Sequence, residues 1–272
     1  MVEKLKELFV FRELLLNLVK RELKVKYKKS ILGFFWSLLN PILTTIVFTF
    51  VFAVLLRIQP PVLRYGAIFS FPVFLLCALL PWNFLSISLS LSLNSIVGNG
   101  NLVKKVYFPR EILPSSAVLA NLINFCLELL VLFMLLTFLG SRFFLYLPLL
   151  IAITIIQTLF TIGMCLIFSC LNVYFRDIQH LLGIILMIWF YATPIIYPFE
   201  YVLQMSHKLP WLPFIYKLNP MATFVLAYRS ILYDCQPPSF FLLGYAVVVS
   251  LLTLYFGYLF FNAYEPTFAE EI

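Results

Sequence analysis

The chain has 272 residues, of which 63% are hydrophobic and only 11% charged, with a mean hydropathy of +1.01. A soluble domain carries roughly 25% charged and about 45–50% apolar residues, and a fold of this length needs far more polar surface than these side chains provide. The composition therefore excludes a soluble globular domain and defines an integral membrane protein. The net charge of +7 is not spread as a nucleic-acid footprint, because nine of the nineteen Lys and Arg residues precede Ser30. That crowding beside the first apolar run suits a chain held on an anionic membrane surface.

Residues 5–28 place Leu8, Phe11, Leu15, Val19 and Leu23 at helical spacing, with Lys6, Glu13, Lys20, Arg21, Lys24 and Lys28 over much of the rest. The pattern predicts an amphipathic helix lying in the headgroup layer with its lysines toward anionic lipid; a plain cytosolic helix is the alternative. A cleavable signal is not expected, because the first thirty residues are charged throughout and no short apolar core with a small-residue cleavage site follows.

A bilayer core needs about 20 apolar residues as helix. Six stretches supply them, near 34–56, 68–95, 114–139, 145–170, 179–198 and 240–261. The expected fold is an all-α integral membrane protein, with an interface helix and elbow over 1–33 and a six-span domain over 34–272. An N-terminus inside leaves thirteen basic residues in the inside segments and six outside, and six spans put both termini in the cytoplasm.

Between the second and third spans lies a charged, proline-punctuated knot, NLVKKVYFPREILP. Gly98 and Gly100 end the incoming helix, and Pro109 and Pro114 bracket the next. Residues 98–110 form the loop, in which Leu102 to Phe108 predict a short helix parallel to the membrane. It would show Lys104 and Lys105 beside Val103, Val106, Tyr107 and Phe108. Such an element suits a docking surface for another protein, or else a solvated turn whose lysines only fix topology.

In the third span Asn121, Asn124 and Glu128 share one helix face. A charge at mid-membrane costs about 2.5–3.5 kcal/mol on insertion scales, so that face points at other helices or at a water-filled path. It is either a lining or proton-relay stripe, or a structural pairing between helices. Trp36, Trp82, Trp189 and Tyr191 are candidates to line a path for sugars by stacking.

After the fifth span, residues 199–238 are too aromatic for a solvated loop, and Pro210, Pro213 and Pro220 interrupt any span. Asn219 followed by Pro220 reads as a helix start, with Asn capping and Pro in the first turn. Short helices dipping back into the outer leaflet are expected here.

Four of the five cysteines lie in apolar runs and Cys235 in a loop, which suggests neither a disulfide framework nor a metal site. No G-x-x-x-x-G-K-[ST] phosphate loop is present, and His180 and His207 have no metalloprotease spacing. The chain reads as a non-enzyme that binds no cofactor of its own.

Four motifs resemble the membrane subunits of ATP-binding-cassette exporters for polysaccharides, the family of the O-antigen, capsule and teichoic-acid exporters. They are YKKSILGFFWSLLNPIL (27–43), LVKKVYFPREILP (102–114), NVYFRDIQHLLGIILMIWFYATPIIYP (172–198) and LNPMATFVLAYRSILYD (218–234). The resemblance implies a homodimer with the conduit at its interface, above two copies of a separate P-loop ATPase that binds ATP and Mg. The loop matching Asn101 to Pro109 would be the coupling helix. Lys104 and Lys105 would meet acidic ATPase surface, Val106 to Phe108 would be the buried anchor, and Arg110 would belong to the same ATPase-coupling set. Arg176 and Asp177 would cap the fifth span and touch the ATPase less directly. Tyr197, Pro198, Trp211, Asn219 and Pro220 would belong to an external gate.

The resemblance further implies a polyisoprenyl-linked glycan as substrate and the bacterial cytoplasmic (inner) membrane as location. No glycan-binding module is expected on this chain. The alternatives are a drug or antibiotic exporter permease, a proton-coupled transporter using Glu128, or a non-transporting scaffold.

Overall fold

The computed structural model describes residues 10–28, 33, 35–57, 71–205 and 208–272. The beginning of the expected interface helix, residues 29–32 and 34 of the first motif, His207, and the start of the expected second span lie outside the described residues. A lipid-embedded backbone must satisfy its hydrogen bonds within the chain, which favours helices. The described residues are helical, with no strand among them.

In chain order the elements are α1 (Arg12–Tyr27), α2 (Phe35–Phe48), α3 (Phe71–Leu93), α4 (Gly100–Lys105), α5 (Ile112–Phe138), α6 (Leu147–Tyr174), α7 (Ile178–Tyr191), α8 (Phe199–Gln204), α9 (Leu212–Leu218), α10 (Pro220–Leu232), α11 (Phe240–Tyr264) and α12 (Phe268–Glu271). A π-helix over Thr49–Leu55, a rare wide turn, continues α2.

Among the described residues, four helical stretches are long and apolar enough to cross a bilayer: Phe71–Leu93, Ile112–Phe138, Phe143–Tyr174 and Phe240–Glu271. The expected first and fifth spans are shorter apolar helices. α7 has 14 residues, about 21 Å at 1.5 Å per residue, and stops at Tyr191 instead of continuing to residue 198. Pro194 explains the stop, since its ring would collide with the carbonyl one turn back. Likewise α4 covers Gly100–Lys105 instead of Leu102–Phe108. Val106 is already extended, and the residue before Pro109 is barred from the helical region.

α3 is the centre of the bundle, with 72% of its span buried against 17% for Phe240–Glu271. Side-chain amides from its neighbours reach its carbonyls. Asn121 of α5 donates to Phe84 O at 3.1 Å and to Ser88 Oγ at 3.0 Å. Gln157 of α6 donates to Pro81 O at 2.8 Å, and Asn172 to Leu93 O at 3.0 Å. Between apolar surfaces in lipid, such bonds hold helices together by about 0.6 kcal/mol each on average.

α1 packs along α5, with Leu18 and Val19 buried, so its apolar face is covered by protein as well as available to lipid. α6 and α11 cross at Gly163 and Gly257. A Cβ on Gly257 would lie 2.3 Å from Gly163 O, and one on Gly163 2.6 Å from Leu254 N. Only a missing side chain permits that approach.

Gly257→Val is expected to force α6 and α11 apart at a cost of at least about 1–3 kcal/mol, the usual range for overpacking. Thermal unfolding in detergent followed by size-exclusion chromatography reads it; an unchanged melting point would show that the crossing relaxes freely.

Candidate docking and gate surfaces

A six-residue helix has too few hydrogen bonds to sustain itself, so α4 depends on what it packs against. Val103 is 3% exposed and sits in a cluster with Leu18, Phe108, Ile112, Cys170 and Phe268. The opposite face leaves Asn101, Lys104, Lys105, Val106 and Tyr107 exposed, Tyr107 by 83%. Leu102 is half-buried.

Val106, Tyr107 and Phe108, expected together as an anchor, are divided by the structure. Phe108 is 3% exposed and packed within its own chain, while Val106 and Tyr107 are exposed. Arg110 is half-buried: its N–H donates to Glu265 Oε1 at 3.2 Å and its guanidinium to the Glu265 carbonyl. Arg176 and Asp177 are exposed on the turn between α6 and α7. Asp177 stands at the N-cap of α7 without a side-chain capping bond; its carbonyl accepts from His180 and Leu181.

The polar stripe on α5 also divides. Asn121 and Asn124 are buried, and the bonds of Asn121 to α3 make it a tie between helices. Glu128 instead lines a mainly apolar cavity of about 540 Å³ between α2, its π-turn, α3 and α5. Thr45 and Thr49 line the same cavity, and the charge of Lys26 on α1 acts on Glu128.

Of the aromatic candidates, Trp82 is 5% exposed and sits edge-on to Trp189 at 5.9 Å and Phe190 at 5.6 Å. Trp189 is half-buried and donates to Asn219 Oδ1 at 2.8 Å. These two are packing residues. Trp36 and Tyr191 are exposed, on α2 and α7.

At the far end of α3, Asn219 caps α10 as its sequence context predicts, Oδ1 accepting from the N–H of Met221 at 3.0 Å and of Ala222 at 3.4 Å. Its amide also donates to Ala192 O and Thr193 Oγ1, both at 3.0 Å, tying α10 to the end of α7. Pro220 is the first residue of α10 and Pro198 the N-cap of α8. Trp211 is exposed at the start of α9. The Tyr197 hydroxyl donates to Tyr191 O and shares a second 2.7 Å bond with the Tyr216 hydroxyl.

Arg229 holds this end together and was not among the expected gate residues. It is 4% exposed, with its guanidinium carbon 3.6 Å over the Phe74 ring. Nη1 donates to Pro194 O and Nη2 to Ile195 O, both at 2.5 Å, and Nε to Phe74 O at 3.4 Å. Three backbone carbonyls from two elements thus compensate the buried charge. In the sequence, the signal was one Arg inside an otherwise apolar helix. Just beyond α10, burial pushes the Asp234 carboxyl up to about 6, opposed by the Arg229 charge and reinforced by Glu200.

Arg229→Lys is expected to cost about 1.5–3 kcal/mol, because a point charge cannot reproduce the forked bonds to Pro194 and Ile195. The check is thermal stability together with maleimide labelling of buried Cys77 in a Cys126→Ser, Cys235→Ser background. If neither changes, Arg229 is not the clamp.

This helical bundle, with apolar helices of spanning length, is that of an integral membrane protein. Residues 13–233 match the family profile described as ABC-2 type transporter, and the chain belongs to that family. A relative in Myxococcus xanthus called O-antigen export system permease protein RfbA is 35% identical over 272 residues, covering 100% of both chains. One of the same name in Klebsiella pneumoniae is 34% identical over 223 residues, 80% of each chain. The polysialic acid transport protein KpsM of Escherichia coli is 26% identical over 243 residues, 87% of this chain and 88% of that one.

Proposed function

We propose that the chain is the membrane permease subunit of an ATP-driven exporter that moves an O-antigen-like, lipid-linked polysaccharide out of the bacterial cytoplasm. The observation that carries this reading is the 35% identity, over the entire length of both chains, to an O-antigen export permease. The dock at α4 fits it: two exposed lysines on a short helix packed from behind, and two exposed apolar residues, Val106 and Tyr107, on the extended stretch that follows it. ATP and Mg belong to a separate P-loop ATPase, two copies of which engage a homodimer of this chain.

In this arrangement the chain sits in the inner membrane with α4 and both termini toward the cytoplasm, where the basic residues of α1 face anionic lipid. α2 and α7 form the dimer-facing wall. Phe48 and Phe190 bring the two helices together at 6.3 Å, and both expose long apolar faces, including Ile42 and Ile46 on α2, Phe50 on its π-turn, and Ile184, Ile188 and Tyr191 on α7. The six-span count is completed by α2 with its π-turn and by α7, whose shortness is made up by α8 to α10 folding back as an external gate.

The chain performs no covalent step. Closure of the ATPase dimer shifts the permease only as far as nucleotide and glycan bind its states differently. Weak stacking on exposed aromatics such as Trp36 and Tyr191 lets a polymer slide, because each sugar meets a similar surface.

A tagged pull-down of the detergent-solubilised protein from its native membrane tests this. The expected result is a P-loop ATPase in one-to-one ratio, lost with Val106→Asp plus Tyr107→Asp, and export that survives Glu128→Gln. Recovery without an ATPase, with transport abolished by Glu128→Gln, would replace the reading with a proton-coupled carrier working through the Glu128 cavity.

A further inference from the structure

Residues 265–272 follow the last long helix and look, in sequence, like a short acidic tail. In the structure they are packed. Phe268 is fully buried against Val103 and Phe108 in the cluster beneath α4 and edge-on to Phe261 at 5.2 Å. Glu265 accepts the Arg110 N–H on its carboxylate and the Arg110 guanidinium on its carbonyl. The Tyr174 hydroxyl bonds to Tyr264 O at 3.2 Å and to Thr267 Oγ1, joining the segment to the end of α6. Ile272 lies against the first turn of α4, where a Cβ on Gly100 would come within 2.6 Å of its side chain.

α4 is too short to hold its own direction. Its start is abutted by Ile272, its buried side rests on Phe268, and its exit is fastened by Arg110 to Glu265. Beside it lies an open, half-polar groove of about 420 Å³, one wall formed by residues 103–110 and the other by Glu265 and Pro266. Its charged side chains are Lys104, Lys105 and Arg110 against the single carboxylate of Glu265.

We infer that Glu265 and Pro266 are the second wall of the docking groove and that the segment Glu265–Ile272 they begin is the positioning element that sets the pose of α4 toward its partner. The occupant that fits is a projection of the ATPase carrying carboxylates around an apolar side chain. The carboxylates meet the lysines, and the apolar group lies against Val106 and Tyr107. This rests on the docking reading proposed above and adds that the surface is composite, from two parts of the chain 155 residues apart, measured from Arg110 to Glu265. A movement of α4 is then a movement of α11 and α1 as well, because all three share the Phe268 cluster.

The experiment places the permease in nanodiscs and measures its affinity for the co-purified ATPase, with helix content by circular dichroism and size-exclusion profile as folding checks. Glu265→Ala and Phe268→Ala are expected to retain both folding checks and to weaken ATPase binding about tenfold, as loss of a central interface contact does. Phe268→Leu is expected to restore most of the affinity. A purely structural role for the segment would lower the yield of folded protein and leave the affinity of what remained unchanged.

Binding within about twofold of the unmodified protein for Glu265→Ala and Phe268→Ala overturns the inference, since that is within ordinary surface-substitution effects. The control is Lys104→Glu, Lys105→Glu, Tyr107→Asp. If it releases the ATPase while the Glu265 and Phe268 variants do not, the segment is no part of the dock. If it too retains the ATPase, the docking reading itself falls.

Discussion

The main-chain carbonyls of α3 are the anchor points on which α5, α6 and α10 hang. Lipid chains are as apolar as leucine, so a helix in the bilayer gains little from burying one greasy face against another. Something directional has to choose the neighbours. Here Arg229 reaches Phe74 O in the first turn, Gln157 reaches Pro81 O, Asn121 reaches Phe84 O, and Asn172 reaches Leu93 O at the end. Phe74, Pro81 and Phe84 lie inside the helix, where a carbonyl keeps a second lone pair beyond its helical bond, so the ladder is not broken to make these ties; Leu93 O is an end carbonyl, which the Asn172 amide satisfies.

This choice of anchor places the two ends proposed for docking and gating. The Arg229 clamp fastens α10 and the turn after α7 to the start of α3, and Asn219 ties α10 to the end of α7. At the other end Asn172 bonds both Leu93 O and Asn94 Oδ1, so the chain leaves α3 toward α4 from a fixed point. The close crossing of α6 and α11 at Gly163 and Gly257 then delivers Phe261 and Phe268 beneath α4. The proposed dock and the proposed gate thus lie at opposite ends of one buried helix, in a geometry suited to passing rigid-body motion from one to the other.

Much of this was legible residue by residue. Asn219 and Pro220 announced a helix start, and Asn219 caps α10 with its side chain. Glycines and prolines on either side of the LVKK stretch marked a short isolated helix, which forms, displaced toward Gly100 by the extended residues ahead of Pro109. Local rules hold there because caps and prolines act within one turn. The α5 stripe was legible as a shared face but not as a set of roles: Asn121 turns to α3, while Glu128, two turns on, faces a cavity. Helical spacing says which residues point the same way, not what stands opposite them.

The sequence alone determined that the chain lives in a membrane, that it is helical, where its long helices run, and which family it resembles. Those properties follow from hydropathy, period and local motif, all of which are read along the chain. Only the tertiary structure decided that Phe108 is buried and Tyr107 exposed, that Arg229 is a clamp, and that an acidic tail lies under the candidate coupling helix. The physical reason is the same in each case. A side chain's role depends on which carbonyl, ring or cluster comes up against it, and those partners lie from about 30 to about 160 residues away, as the Arg229–Ile195 and Arg110–Glu265 separations of 34 and 155 illustrate.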